Sequence, residues 1–248
     1  MNLQLFALLL VVVALLAWRA ATRERREYAQ FKRMRATASR QKVMRRWLIE
    51  SVLVFSGLSA AILLAAWDEV PAVLREAQAW EPIAASRAFV DTPLGRSVAI
   101  GVAVAVVLAL VVPVLLLRNV DPDDVPKLGD IGALLPRTRA ELPYGAGLAV
   151  SAGIFEELMF RLALPALLFG IWPEGPLAFG LAALLFGALH LYQKWVGMLA
   201  ATVLGLVFAY LYLVTGSILA PITLHVLIDV RSLVLLPLVI GKLARPVS

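Results

Sequence analysis

The chain carries seven apolar stretches close to the length that a helix needs to cross a bilayer, and few other constraints on a fold are as severe. They run Leu3–Trp18, Trp47–Trp67, Ser97–Leu117, Tyr144–Ile171, Pro176–His190, Val196–Val214 and Ile218–Ile240. In lipid every backbone polar group must bond within its own segment, so stretches of this kind become helices. Hydrophobic residues make up 61% of the 248 and charged residues 16%, against roughly half and a quarter in a soluble domain. A water-facing globule has no interior large enough for so much apolar surface. The expected fold is all-α: a polytopic transmembrane helix bundle of about seven spans, six to eight. The fourth stretch is long enough to tilt or to break near Pro165.

Charge supplies the orientation. Of the 23 basic residues, 11 lie between Arg19 and Arg46, directly between two apolar stretches. A basic segment in that place is a topology signal and an anchor to anionic headgroups, so the net charge of +6 does not indicate a nucleic-acid partner. Placing residues 19–46 in the cytoplasm leaves Trp172–Gly175 and Thr215–Ser217 outside, without a basic residue, and puts Lys194, Lys242 and Arg245 inside. The first stretch has no basic residue before it and positive charge after it, the pattern of an uncleaved anchor with its N-terminus outside. The expectation is a multi-pass protein of a plasma or inner membrane, N-terminus outside and C-terminus cytoplasmic. Its parts are N-terminal spans over 1–143, a helical core over 144–240 and a short basic tail over 241–248. The connection Asp68–Arg96 mixes Trp80, Val73 and Leu74 with charges, as a short interfacial amphipathic helix does.

Ionisable groups inside a span cost roughly 2.5–3.5 kcal/mol each on insertion scales, so they face a cavity and carry a function. The first half of the chain has only Glu50 near a span. The second half has Glu156, Glu157, Arg161, His190, His225, Asp229 and Arg231. Glu157 and Arg161 are four residues apart and share a helix face, where they can pair. Glu156 points about 100° away. A carboxylate without an intrahelical partner in a low-dielectric site suits a general base or acid. His225 and Asp229 also stand at i and i+4, where the carboxylate can orient the imidazole or both can reach one point. These two histidines are all the chain has, and both follow the Glu-Glu span. Two carboxylates and two imidazoles from three helices make a water-activating set.

Other membrane-protease signatures are missing. There is no cysteine and no His-Glu-x-x-His. Gly129-Asp130 lacks the further glycine of a Gly-x-Gly-Asp motif, and Ser151 has no Gly-x-Ser-x frame. What the chain does contain, Glu156-Glu157 with Arg161, Phe186 with His190 and His225 with Asp229, resembles the CPBP family in order and span context. That family includes CAAX prenyl proteases of the Ras-converting type and the Abi bacteriocin-processing or immunity proteins. The resemblance covers roughly Tyr144 to Ile240.

It implies an intramembrane endopeptidase, a hydrolase with its site open toward the cytoplasm. Its partners would be the bilayer and a membrane-associated protein or peptide, cut near its C-terminus or within it. By the same resemblance, Glu156 with His190 activates water, His225 with Asp229 stabilises the oxyanion or holds the water, and Glu157–Arg161 supports the site. Asp229 stands where prenyl proteases have Asn, so here it orients His225 or carries a proton. Family members are often labelled metalloproteases. No cofactor is required by the residues, and a zinc-like metal, if bound, would take Glu156, His190 and His225. Two other functions fit the same residues: a non-enzymatic immunity or scaffold protein, and a proton- or ion-coupled transporter.

Overall fold

Twelve α-helices and the turns between them make up the computed structural model, which describes residues 2–119 and 132–240. Gly129-Asp130 and the tail with Lys242 and Arg245 lie outside the described residues. Helix α1 (Leu3–Trp18) continues through a π-helical turn, Arg19–Glu24, into α2 (Arg25–Phe31). Then come α3 (Thr37–Ala66), α4 (Glu69–Ala79), α5 (Glu81–Val90) and α6 (Pro93–Leu116). Helix α7 (Leu142–Glu157) runs through a second π turn, Leu158–Ala163, into α8 (Leu164–Phe169). A hairpin of α9 (Gly175–Leu189) and α10 (Lys194–Thr215) follows, turned by His190–Gln193. Helix α11 (Leu219–Val230) passes through a third π turn, Arg231–Leu235, into α12 (Leu236–Val239). There is no strand among the described residues.

Each of the seven expected stretches is helical. By length and composition five runs are long and apolar enough to cross a membrane: Leu3–Phe31, Thr37–Ala66, Pro93–Leu116, Gly175–Thr215 and Leu219–Val239. The number falls below seven for two physical reasons. Gly175–Thr215 holds two of the expected stretches in 41 residues. The α7–α8 rod gives up apolarity to Glu156, Glu157 and Arg161. The chain is an integral membrane protein built as an all-α bundle.

Pro165 does not break its helix. A proline interrupts an α-helix because it has no N–H for residue i−4 and its ring meets that residue's carbonyl. Here the turn just before it is π-helical, Leu158–Ala163, and the rod continues. The same arrangement recurs at Pro237, which follows the π turn Arg231–Leu235. Widening the turn accommodates the ring without ending the helix. The Asp68–Arg96 connection, expected to hold one short amphipathic helix, holds two, α4 and α5, broken at Trp80–Pro82. They pack on α8, α9 and α10.

Helix α7 packs between α3 and α11, and close contact at glycine allows it. A Cβ added at Gly153 would stand 2.4 Å from Val226 Cγ2 and 2.9 Å from Val226 N. Four residues on, and on the same face, is Glu157.

The bundle has two distinct ends. At one, the Tyr28 and Tyr192 rings meet at 5.3 Å, and Arg137 Nη1 donates to Met34 O at 3.1 Å. A buried pair, Arg40 Nε to Glu141 Oε1 at 3.0 Å, joins α3 to the turn before α7. Arg40 also donates to the carbonyls of Ala133 and Leu135 and lies 4.1 Å over the Phe31 ring. At the other end Gln78 and Arg87 cap α10 through the carbonyls of Leu213 and Val214. There Gly216, at φ 68°, ends α10 in the left-handed conformation that glycine adopts without a steric cost.

Candidate active site

Between α3, α7, α9, α10 and α11 lies a cavity of about 590 Å3, within the range of ligand sites. Glu156, His190, His225, Asp229 and Arg231 line it, in a wall otherwise mostly apolar. Glu156 is half-buried, because its carboxylate faces the cavity and not the lipid. Glu157 and Arg161 are buried behind this wall.

Glu157 is the hub. Its Oε1 lies 3.1 Å from Arg161 Nη1, and it accepts a hydrogen bond of 2.8 Å from His225 Nδ1. Arg161 also donates from Nη2 to the Gly205 carbonyl at 3.1 Å. Its guanidinium sits between two rings, 4.6 Å from Phe186 and 5.1 Å from Phe208. A cation so placed is partly compensated by the negative faces of both rings. The compensation is incomplete. Glu157 Oε2 and Arg161 Nη1 have no aligned hydrogen bond among the described residues, so the contact at Nη1 is an ion pair only.

Each imidazole is fixed by its Nδ1. His190 Nδ1 lies 2.8 Å from the Phe186 carbonyl, an acceptor only, so Nδ1 carries the proton and the lone pair is on Nε2. His225 Nδ1 is held by Glu157, and its ring stacks on Phe208 at 4.8 Å and 20°. Phe186 separates the two imidazoles, 4.8 Å from His190 and 6.0 Å from His225 between centroids. Asp229 Oδ2 is 3.7 Å from His225 Nε2, beyond direct hydrogen-bond length. The carboxylate orienting His225 is therefore that of Glu157, 68 residues away, and not the i+4 neighbour that sequence spacing suggested.

Among the described residues no three His, Asp or Glu side chains converge closely enough to hold a metal ion. Glu156, His190 and His225, the set offered as ligands if a metal is bound, share a cavity without forming a coordination site.

Sequence reasoning missed the near wall of the cavity. Tyr28, Phe31, Met44 and Trp47 line it from the N-terminal third, which carries none of the motifs. Trp47 Nε1 donates to Glu27 Oε2 at 2.9 Å, and Phe31 packs on Trp47 at 4.7 Å. Aromatic residues beside a basic segment read equally well as interfacial anchors, so composition alone does not single them out.

Fold and site together define a class: a polytopic helical membrane protein with carboxylate and imidazole groups around one internal cavity. Residues 138–231 match the family model of the type II CAAX prenyl endopeptidases, Rce1-like. That segment runs from the turn before α7 to Arg231 and includes all six motif residues. No curated protein and no solved structure matches the chain.

Proposed function

We propose that the protein is an intramembrane endopeptidase in which Glu156 is the general base and His190 its partner in activating water. The observation that carries this reading is the shared cavity: Glu156, His190, His225 and Asp229, from three helical segments, all line one cavity whose wall is mostly apolar. A water there loses one proton to the Glu156 carboxylate. His190 Nε2, whose lone pair is free, accepts the water's second hydrogen as a hydrogen bond and aims the oxygen at the scissile carbonyl. The C–O bond forms and the carbonyl oxygen takes the negative charge. His225 carrying both protons donates Nδ1–H to Glu157 and keeps Nε2–H for that oxyanion, with Asp229 alongside. As the C–N bond breaks, Glu156 returns its proton to the amine. Arg161 acts through Glu157 and touches no reacting atom, so it is a positioning residue.

The orientation proposed has residues 19–46 and the mouth of the cavity on the cytoplasmic side. Its support is that Tyr28, Tyr192, Arg137 and Arg40 gather at one end of the bundle, next to the cavity wall formed by Phe31 and Trp47. The substrate class is a membrane-associated protein or peptide.

The test compares protein C-termini in membranes of cells carrying the wild type, Glu156→Gln or His190→Ala. Uncut C-termini should accumulate in both variants while the variants insert and fold normally. Identical termini in all three would remove the hydrolase reading and leave a scaffold or transporter.

A further inference from the structure

A peptide brings an N–H and a C=O with nearly every residue, and an apolar cavity leaves them unpaired at a cost unless its wall supplies partners. Extended peptides are commonly held on the edge of a sheet. There is no strand among the described residues, so here the partners have to be side chains. Most polar side chains that line the cavity are already committed. Trp47 donates to Glu27, Ser232 to the Ile228 carbonyl and Arg231 to the Leu110 carbonyl. Arg19, Tyr28, Glu50 and Tyr192 are each engaged with neighbours. Glu156, His190, His225 and Asp229 serve the mechanism proposed above.

Two groups remain: Ser51 on α3, and Gln193 at the end of the turn that joins α9 to α10. Ser56, Ser97, Thr202 and Thr223, like Ser232, donate the hydroxyl proton to the carbonyl four residues back in the helix. Ser51 makes no such bond to Trp47, nor to any other described residue. Gln193 donates from Nε2 to Tyr192 Oη at 2.9 Å, and its Oε1 accepts nothing among the described residues. Its side chain lies against the first turn of α10, where Gly197 makes room. A Cβ at Gly197 would stand 2.3 Å from Gln193 Cβ and 2.9 Å from Oε1.

Both groups lie on one side of the reacting residues, toward the end of the bundle where Tyr28 meets Tyr192. Helices α3 and α7 run level with each other: Gly147 stands against Leu48, and Ser59 donates to Met159 at 3.6 Å. Three residues beyond Leu48, Ser51 is level with about residue 150, which is about 9 Å short of Glu156 along the axis. Gln193 is three residues past His190 in a 3-10 turn, about 6 Å. An extended chain advances about 3.3 Å per residue, so both groups meet it about two to three residues from the cut bond. They approach from different walls, because α3 packs on α7 while the turn packs on α10 and on residues 19–24. A trans peptide group points its C=O and N–H in opposite directions. One such group between the two walls meets the Ser51 hydroxyl with its C=O and Gln193 Oε1 with its N–H.

Resting on the endopeptidase reading for the identity of the ligand, we propose that Ser51 and Gln193 form a main-chain clamp that holds one peptide group of the substrate two to three residues from the cut bond. Recognition at that point is of backbone and not of a side chain. The substrate has to be extended there, and proline, which has no N–H, is refused.

The experiment uses the full chain in phosphatidylcholine vesicles and a degenerate library of fluorescent octapeptides. One backbone N–H at a time is replaced by an ester oxygen, which removes the donor, weakens the acceptor of that peptide group and adds no bulk. Mass spectrometry of the products gives the distance from the ester to each cut bond. In the wild type an ester two or three residues from the cut, on one side of it, should slow cleavage about tenfold relative to the amide. Ser51→Thr, which keeps the hydroxyl, should keep that ratio whatever its rate. Ser51→Val and Gln193→Leu should each lower the ratio to about threefold or less, since one of the two bonds is then gone. A wild-type ratio near one at every position overturns the proposal. A ratio unchanged in either Ser51→Val or Gln193→Leu also overturns it, even where the rate falls, because a merely structural role weakens amide and ester alike. Absence of any wild-type cleavage rejects the endopeptidase reading, and the same amide-to-ester ratio is then read in binding. A binding ratio that needs both residues keeps the clamp, and a binding ratio of one overturns it.

Discussion

The buried pair Glu157–Arg161 gives a sharp thermodynamic prediction because each partner has a different set of remaining contacts. Removing one member of a buried ion pair typically costs about 3–5 kcal/mol. The low end applies here, since Glu157 Oε2 and Arg161 Nη1 already lack aligned hydrogen bonds. Arg161→Met leaves the Glu157 carboxylate with only His225 Nδ1, so about 3 kcal/mol should be lost. Glu157→Gln keeps an acceptor for His225, and Arg161 keeps the Gly205 carbonyl and the Phe186 and Phe208 faces; its loss should be nearer 2 kcal/mol. The double variant buries no charge at this point and retains the bond to His225. It should be no less stable than the worse single variant, giving a coupling energy of about 2 kcal/mol or more. Reversible unfolding of the full chain in mixed micelles, followed by tryptophan fluorescence, measures all four corners of the cycle. Effects that add within about 0.5 kcal/mol would refute the argument, because groups that share no interaction behave that way.

Two further outcomes follow from backbone geometry. Gly153→Ala, whose Cβ has no room against Val226, should lose about 1–3 kcal/mol in the same unfolding assay and should reduce cleavage by drawing His225 away from Glu157. Gly101→Ala, where a Cβ meets nothing within 4 Å, is the control and should leave cleavage unchanged. Lys194 has φ 64°, a conformation that costs a side-chain-bearing residue about 1–2 kcal/mol, so Lys194→Gly should raise the unfolding midpoint or leave it equal; a marked fall would refute the strain argument.

The helices were legible because lipid leaves the backbone one choice. The first apolar stretch, Leu3–Trp18, coincides with α1, although the helical rod runs on to Phe31, and α9 and α10 start and end within two residues of the apolar limits that mark them. The count of spans was less legible, because an apolar count cannot tell one long helix from a hairpin, or a span that gives up apolarity to charge from a surface helix. In the site, sequence exposes only neighbours at i+3 and i+4. It therefore paired His225 with Asp229 and had no access to the 2.8 Å bond from Glu157, which depends on the approach of α7 to α11 at Gly153. It was also blind to the aromatic wall of Tyr28, Phe31 and Trp47, whose place beside the cavity is fixed by the Arg40–Glu141 pair across 101 residues.

Both π turns in the core begin directly beyond the residues with the chemistry. One starts after Glu156-Glu157 and ends before Pro165; the other starts at Arg231, two residues after Asp229, and ends before Pro237. Such turns concentrate at functional sites, and here a physical reason is visible. A proline one turn further on withholds the N–H that the regular ladder needs, and the helix responds by widening rather than kinking. The extra residue in the wide turn shifts everything after it around the axis. On α11 that shift begins at Arg231, which lines the cavity and donates from Nε to the Leu110 carbonyl of α6 at 3.2 Å. The Leu233 carbonyl, which Pro237 leaves without its α-helical donor, lies where a Cβ on Gly145 would come within 2.9 Å, so α7 can close over it only with glycine there. Proline, wide turn and facing glycine thus form one device: the helix widens instead of ending, and the neighbouring rod is thinned to fit the result.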